Sequence, residues 1–252
     1  MQKTQALKGN HNHLLAEVYL GLGNANYAQG RLDEALRHHA SATSTLEMNA
    51  NTGRGPHMVP ILLNRGLVYL AKKEHNHALE SLMRAHRLAE SVLGVNRLDV
   101  ACVSHNLGVV HDRLNNVNEA QEFYAKALTI REKVLGKDDP NTMATYHNLS
   151  ELLIQSRRYK QALPILIRLT RAVGMESGDK SLEFAKQCYD TGLVCVELGK
   201  TKRGFKYLRW SHSIREVLLP RNHADTLAVL VAIRPLIMEE VQCHDIVTSD
   251  VH

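Results

Sequence analysis

Large aromatic residues are scarce in this chain of 252 residues: Phe occurs 3 times, Trp once, and all aromatics total 5%. A core built on stacked rings is excluded, and the abundant Leu and Ala point to helices packed through small and aliphatic side chains. The 15 Gly and 6 Pro are too few for a β-sandwich that turns every ten residues or so. Only 4 Cys are present, Cys102, Cys188, Cys195 and Cys243, and none forms a C-x-x-C pair. That excludes a disulfide framework and leaves reduced thiols as the expectation. Cys102, Cys188 and Cys195 fall in apolar helical patterns, where they read as small buried hydrophobes. No apolar run reaches the roughly 18 residues that a membrane span needs. Met1 to His11 lacks both an apolar stretch and an Arg-rich amphipathic one, so no targeting segment is expected. Neither charge sign dominates: 31 Lys and Arg against 26 Asp and Glu give a net charge of +5. With 44% hydrophobic and 23% charged residues, the chain can bury a core and is too mixed for disorder. A soluble, helical, cytoplasmic protein is what these absences leave.

What the chain does have is a repeat. Asn64-Arg65-Gly66, Asn106-Leu107-Gly108 and Asn148-Leu149-Ser150 are copies, with weaker ones at Gly21-Leu22-Gly23 and Asp190-Thr191-Gly192. The third member lies at 23, 66, 108, 150 and 192, in steps of 43, 42, 42 and 42. Twelve residues after each anchor stand Ala35, Ala78, Ala120, Ala162 and Gly204. Nineteen after each stand Ala42, Ala85, Ala127, Leu169 and Ser211. Small residues at these offsets let two antiparallel helices approach closely. Turn signals separate the two helices of each unit at Gln29-Gly30, Lys73-Glu74, Asn115-Asn116, Ser156-Arg157 and Gly199-Lys200. One hairpin buries little alone, so successive hairpins must stack. The expected fold is all-α, a right-handed α-solenoid of five helical hairpins plus a C-terminal capping helix.

The pattern resembles the tetratricopeptide repeat, and its 42-residue period resembles the kinesin-light-chain subclass rather than the ~34-residue one. Tyr124-Ala-Lys-Ala-Leu-Thr-Ile-Arg-Glu-Lys-Val-Leu-Gly136, Lys-Asp-Asp-Pro140-Asn-Thr142 and His147-Asn148-Leu149 carry the likeness. Leu93-Gly94 with Asp99-Val100, and Pro220 with His223-Ala224-Asp225-Thr226, repeat the joint. The likeness covers roughly residues 9 to 235 and is to the repeat type; no long heptad segment accompanies it.

The expected organisation is an N-terminal edge at 1–12, a solenoid at 13–241 and a loose tail at 242–252. Its repeats lie near 13–55, 56–97, 98–139, 140–181 and 182–222, with a cap helix at 223–241 interrupted by Pro235. Leu7 to Ala16 reads as one more inter-repeat joint. It marks either an edge that further chain or another chain covers, or a frayed cap; exposed apolar surface on the first helix favours the former.

The first helices of such repeats line a concave groove. Asn64, Asn106 and Asn148, each two residues before an anchor, form a ladder of carboxamides suited to an extended peptide backbone. The resemblance implies peptide contact there; the alternative is that they tie neighbouring repeats together. Gly21 and Asp190 depart from the ladder. His105 and His147 stand one residue earlier, and Lys72, Lys73 and Arg113 follow on the first helices, which favours an acidic peptide. A second candidate is the run Lys200, Lys202, Arg203, Lys206, Arg209 and Arg215, interleaved with Phe205, Tyr207 and Trp210. It suits phosphates or an acidic surface; the alternative is a solvated helix face with Trp210 packed inward. No pair among the 15 His combines i, i+4 spacing with a carboxylate, so no metal is expected. Phosphate-loop, G-x-S-x-G and H-E-x-x-H motifs are absent. Asp138-Asp139 before Pro140 reads as a helix cap. No enzyme and no cofactor are expected. The expectation is a scaffold or adaptor that binds a partner peptide or helix in its groove and packs within a larger assembly. A cytoskeletal or ciliary setting is implied by the resemblance alone. The alternative is a nucleic-acid-associated protein using residues 200–215.

Overall fold

The computed structural model describes residues 2–48, 55–95 and 97–249, with side chains described at 12–48, 55–95 and 97–238. Among them are eleven helices and no strand. They run α1 (Gln2–Ala28), α2 (Leu32–Glu47), α3 (Met58–Ala71), α4 (His75–Leu93), α5 (Leu98–Arg113), α6 (Val117–Val134), α7 (Pro140–Gln155), α8 (Tyr159–Glu176), α9 (Leu182–Glu197), α10 (Thr201–Leu218) and α11 (Ala224–Ser249). The fold class is an all-α solenoid of helical pairs with α11 last. Two units divide it, Met1–Thr145 and Tyr146–His252.

In the first unit each helix packs on its sequence neighbours, and α3 also meets α1 and α5. Leu46, Met58, Leu62, Leu82, Val103 and Leu107 are fully buried in one continuous core. In the second unit, α9 packs on α8 and α10, and α10 on α11. Leu208, Val229, Ile233 and Leu236 form the core beneath α11.

The small anchors are seats for large side chains. A methyl on Gly108 would lie 2.6 Å from Cδ1 and Cε1 of Tyr124, and one on Gly66 2.6 Å from Cγ of Leu82. Gly192 seats Leu208 and Gly23 seats His39 in the same way. The seated residue always comes sixteen positions after its anchor, a slot filled by His39, Leu82, Tyr124 and Leu208. Gly108→Ala should therefore destabilise by about 1–2 kcal/mol in urea melts, ring crowding outweighing the helical gain of Ala. Gly21 has no atom within 4 Å of an added methyl, so Gly21→Ala should instead stabilise by about 0.5–1 kcal/mol.

Each turn within a helical pair bends at one left-handed residue: Gly30, Lys73, Asn115, Arg157 and Gly199, with φ of 75°, 62°, 59°, 56° and 70°. These stand seven residues after each anchor, within the five turn signals of the sequence. The joints between pairs turn at Gly94, Gly136 and Gly178, also at positive φ. Asp139 caps α7 as expected, its Oδ1 accepting from the Asn141 amide at 2.8 Å. Ser181 caps α9 in the same way, accepting from the Phe184 amide.

Both ends differ from expectation. The joint expected at Leu7–Ala16 is uninterrupted helix within α1, and residues 242–249 of the expected tail continue α11 through Pro235. Once a helix is nucleated, each added residue gains a hydrogen bond for little entropy, and these stretches hold few breakers. Residues 250–252 of the tail lie outside the described residues. No described helix is long and apolar enough to cross a membrane.

Candidate peptide-binding groove

The repeat geometry puts the anchor-minus-two residues on the first helices. Of the expected Asn ladder, Asn64 makes an inter-repeat link. Asn64 Nδ2 donates to Asn24 Oδ1 at 2.9 Å, and Asn24 Oδ1 also meets His39 Nε2 at 3.2 Å. Asn106 Nδ2 turns back to the Cys102 carbonyl of its own helix. His105 is partly buried against the Tyr124 ring, with centroids 5.7 Å apart. Burial, then the Arg131 charge, lowers its pKa to about 4. Lys72 is held between Asp33 and Glu74, each at 2.9 Å, and that pairing raises its pKa. Arg113 is exposed in the last turn of α5. The first unit's groove therefore carries less free positive charge than its sequence implies.

In the second unit α9, α10 and α11 line an open cavity of about 690 Å³. Leu182, Glu183, Lys186, Tyr189 and Asp190 of α9 line it, with Asp225 and Ala228 of α11 opposite. Asp190 occupies the slot filled by Asn in three other repeats. Its carboxyl is partly buried, and burial raises its pKa. Glu151 pushes the same way, while Lys186, Arg215 and His147 pull it down. His147 lies 3.7 Å from Glu151 and belongs to this same charged neighbourhood. Asn148 sits beside it on α7, partly buried.

The basic run on α10 does not hold together as expected. Lys200, Lys202, Arg203, Lys206 and Arg209 are exposed, but Arg215 is buried at 6% exposure. Its Nη1 donates to the Asp225 carbonyl at 2.7 Å, and its guanidinium lies 5.2 Å from the centre of the Tyr189 ring. Arg215 is a latch between α10 and α11 and leaves the surface patch. Trp210 is not packed inward: it is 45% exposed, with Lys206 Nζ 5.1 Å above its ring.

Sequence reasoning missed a second such latch. Arg131 is buried at 5% exposure and donates to the Asn141 carbonyl at 2.7 Å and to Thr145 Oγ1 at 2.5 Å. Both latches reach a carbonyl ten residues ahead, and both sit in the recurring Ile-Arg-Glu of 130–132 and 214–216. Of the cysteines, Cys188 and Cys195 are buried and Cys102 is partly so. Burial pushes the Cys188 thiol up to about 12. The side chain of Cys243 lies outside the described residues.

Comparisons agree with this architecture. The tetratricopeptide repeat profile matches residues 58–133 and 115–172. The chain is 22% identical over 168 residues to a clustered mitochondria protein homolog of Emericella nidulans, 67% of this chain but 14% of that protein. It is 26% identical over 143 residues to the protein kinesin light chain-related 3 of Arabidopsis thaliana, 56% of this chain and 22% of that one. The chain thus spans a small part of the curated relatives it matches. Its fold is similar to that of BtubC (BKLC) from P. vanneervenii, with TM-score 0.69 and 16% identity over 88% of this chain and 90% of the other. Repeat period, helical pairing and profile agree: residues 58–172 carry tetratricopeptide repeats, and the chain is similar to kinesin-light-chain-like repeat proteins.

Proposed function

We propose that this protein is a binding scaffold without catalytic activity, and that the α9–α11 groove takes an extended peptide segment carrying a basic side chain. The observation that carries this reading is Asp190, a carboxyl disfavoured by burial on the lining of an open cavity. A cation from a partner relieves that cost, and Tyr189 and Leu182 supply apolar contact beside it. Carboxylates of Glu183 and Asp225 lie on the same lining, while the Arg215 guanidinium is engaged by a carbonyl and a ring. A basic segment thus fits this groove better than the acidic one the sequence favours.

Packing within a larger assembly is the second mode. It is supported by the apolar stripe Leu14, Val18 and Leu22, exposed at 61%, 58% and 44% on α1. A cytoskeletal or ciliary assembly is the setting favoured by the kinesin-light-chain resemblance.

Peptides selected against the intact protein from a random display library test the groove. Asp190→Asn should weaken the selected Lys- or Arg-bearing peptides at least tenfold, while Lys186→Ala, which removes a competing cation from the lining, should leave them bound as tightly or more tightly, with the helical circular dichroism unchanged in both. Unchanged affinity in Asp190→Asn would remove the groove as the site. RNA binding that weakens steeply with salt and is lost in Trp210→Ala would move the function to the basic face of α10.

A further inference from the structure

The strongest unassigned cluster lies in the first unit, where α3 begins beside α1. We propose that His13, Glu17 and His57 form a binding site for a divalent ion of the zinc type. His13 and Glu17 stand one helical turn apart on α1, and the joint Gly55-Pro56-His57 brings the second imidazole against them. One ligand atom from each residue lies within 4.8 Å of the other two. His13 Nδ1 and Glu17 Oε1 are 3.5 Å apart. Tetrahedral zinc with bonds of about 2.0–2.1 Å holds its ligand atoms roughly 3.3 Å apart, so small side-chain rotations complete the set.

Two further observations concern the imidazoles themselves. The His13 and His57 rings meet edge to face with centroids 3.5 Å apart. Ordinary aromatic pairs stand about 4.5–7 Å apart. The two imidazoles are therefore in direct contact. In addition, His13 Nε2 is buried without a hydrogen-bond partner. The cluster also has ligand chemistry at neutral pH. An imidazole nitrogen offers a lone pair to a divalent ion. Glu17 supplies the negative charge that a dication requires. Histidine, histidine and carboxylate are the donors of open zinc sites, which leave a fourth position for water or for a ligand atom from a partner. Here the ion clamps the entrance of α3 to α1 and fixes the first joint of the array.

The experiment uses the intact chain, stripped with chelator and dialysed against Zn²⁺. One tightly held ion per chain is expected. His57→Ala, His13→Ala and Glu17→Gln should each weaken it at least tenfold, while His77→Ala leaves it unchanged. Glu17 and His57 are exposed, so their variants should keep the helical circular dichroism of the parent. A second readout separates this site from scattered surface histidines: Zn²⁺ should slow hydrogen exchange at 57–62 in the parent and not in His57→Ala. Absence of a stoichiometric ion, or binding and protection that survive both His57→Ala and Glu17→Gln, would overturn the proposal.

Discussion

Lowering the pH from 7.5 to 4.5 is expected to cost this protein on the order of 4 kcal/mol of stability. The cause is two histidines that the fold keeps neutral. His39 is fully buried beneath Gly23, and burial, with the charges of Arg65 and His38, lowers its pKa to about 4. His105 is lowered to about 4 by burial and Arg131. In the unfolded chain both titrate near 6.5. Between pH 6.5 and 4 the unfolded state therefore binds more protons, so stability rises with pH across that window and is lost as pH falls. His86 and His111, lowered chiefly by burial, add to the same slope. Asp190 opposes it: its raised pKa favours the folded state at low pH. Urea melts across pH 4.5–7.5 measure the slope. His39→Leu provides the internal test, because the equivalent slot holds Leu82, Leu166 and Leu208 in three other repeats. This variant should match the parent near pH 7.5 and exceed it by about 2 kcal/mol at pH 4.5. A parent curve that is flat through this range would refute the assignment.

Arg131→Met should cost about 3 kcal/mol, the largest loss expected from a single charged residue in this chain. The guanidinium bonds both the Asn141 carbonyl and Thr145 Oγ1 from a buried position. Methionine fills most of the volume but leaves those acceptors without their charged donor, and a charged hydrogen bond is worth about 1.5–3 kcal/mol. Exposed Lys202→Met should change stability by less than about 0.5 kcal/mol. Chemical denaturation of the two variants side by side decides the matter. Equal losses would mean that Arg131 acts only as packing. The same substitution also removes one of the two influences that hold the His105 pKa down, so the acid slope should shrink.

The helical pairs were legible because their close approach demands small residues, and small residues at fixed offsets leave a pattern. The seated residue sixteen positions on was not, since the pocket accepts His39, Leu82, Tyr124 or Leu208. A pocket defined by the missing side chain opposite it imposes size, not chemical type. The latches were half-visible: Ile-Arg-Glu recurs, but two repeats apart, and a repeat-by-repeat alignment dilutes it. Arg215 was read with its exposed neighbours because linear charge runs do not reveal which face of a helix each residue occupies. The groove's central group stood in plain view as Asp190, registered only as a break in the Asn ladder. Burial is what gives that break its chemistry, and its neighbours Glu151 and Arg215 lie 39 residues before it and 25 after it in sequence.

The left-handed residue that turns every helical pair also governs where the chain can change length. From anchor to turn the spacing is seven residues in all five repeats, even where Lys73, Asn115 and Arg157 must take a conformation that suits glycine. The one departure from the period, a step of 43, falls after Ala42 and before Gly66. That interval takes in the end of α2, the connection and the start of α3, and it excludes the turn within either pair. An inserted residue inside a pair would shift every large side chain off its glycine seat. One between pairs shifts nothing inside either. Insertions and deletions in descendants of this sequence should therefore collect at the joints and spare the turns, so that the array varies in its spacing from pair to pair while each pair keeps its length.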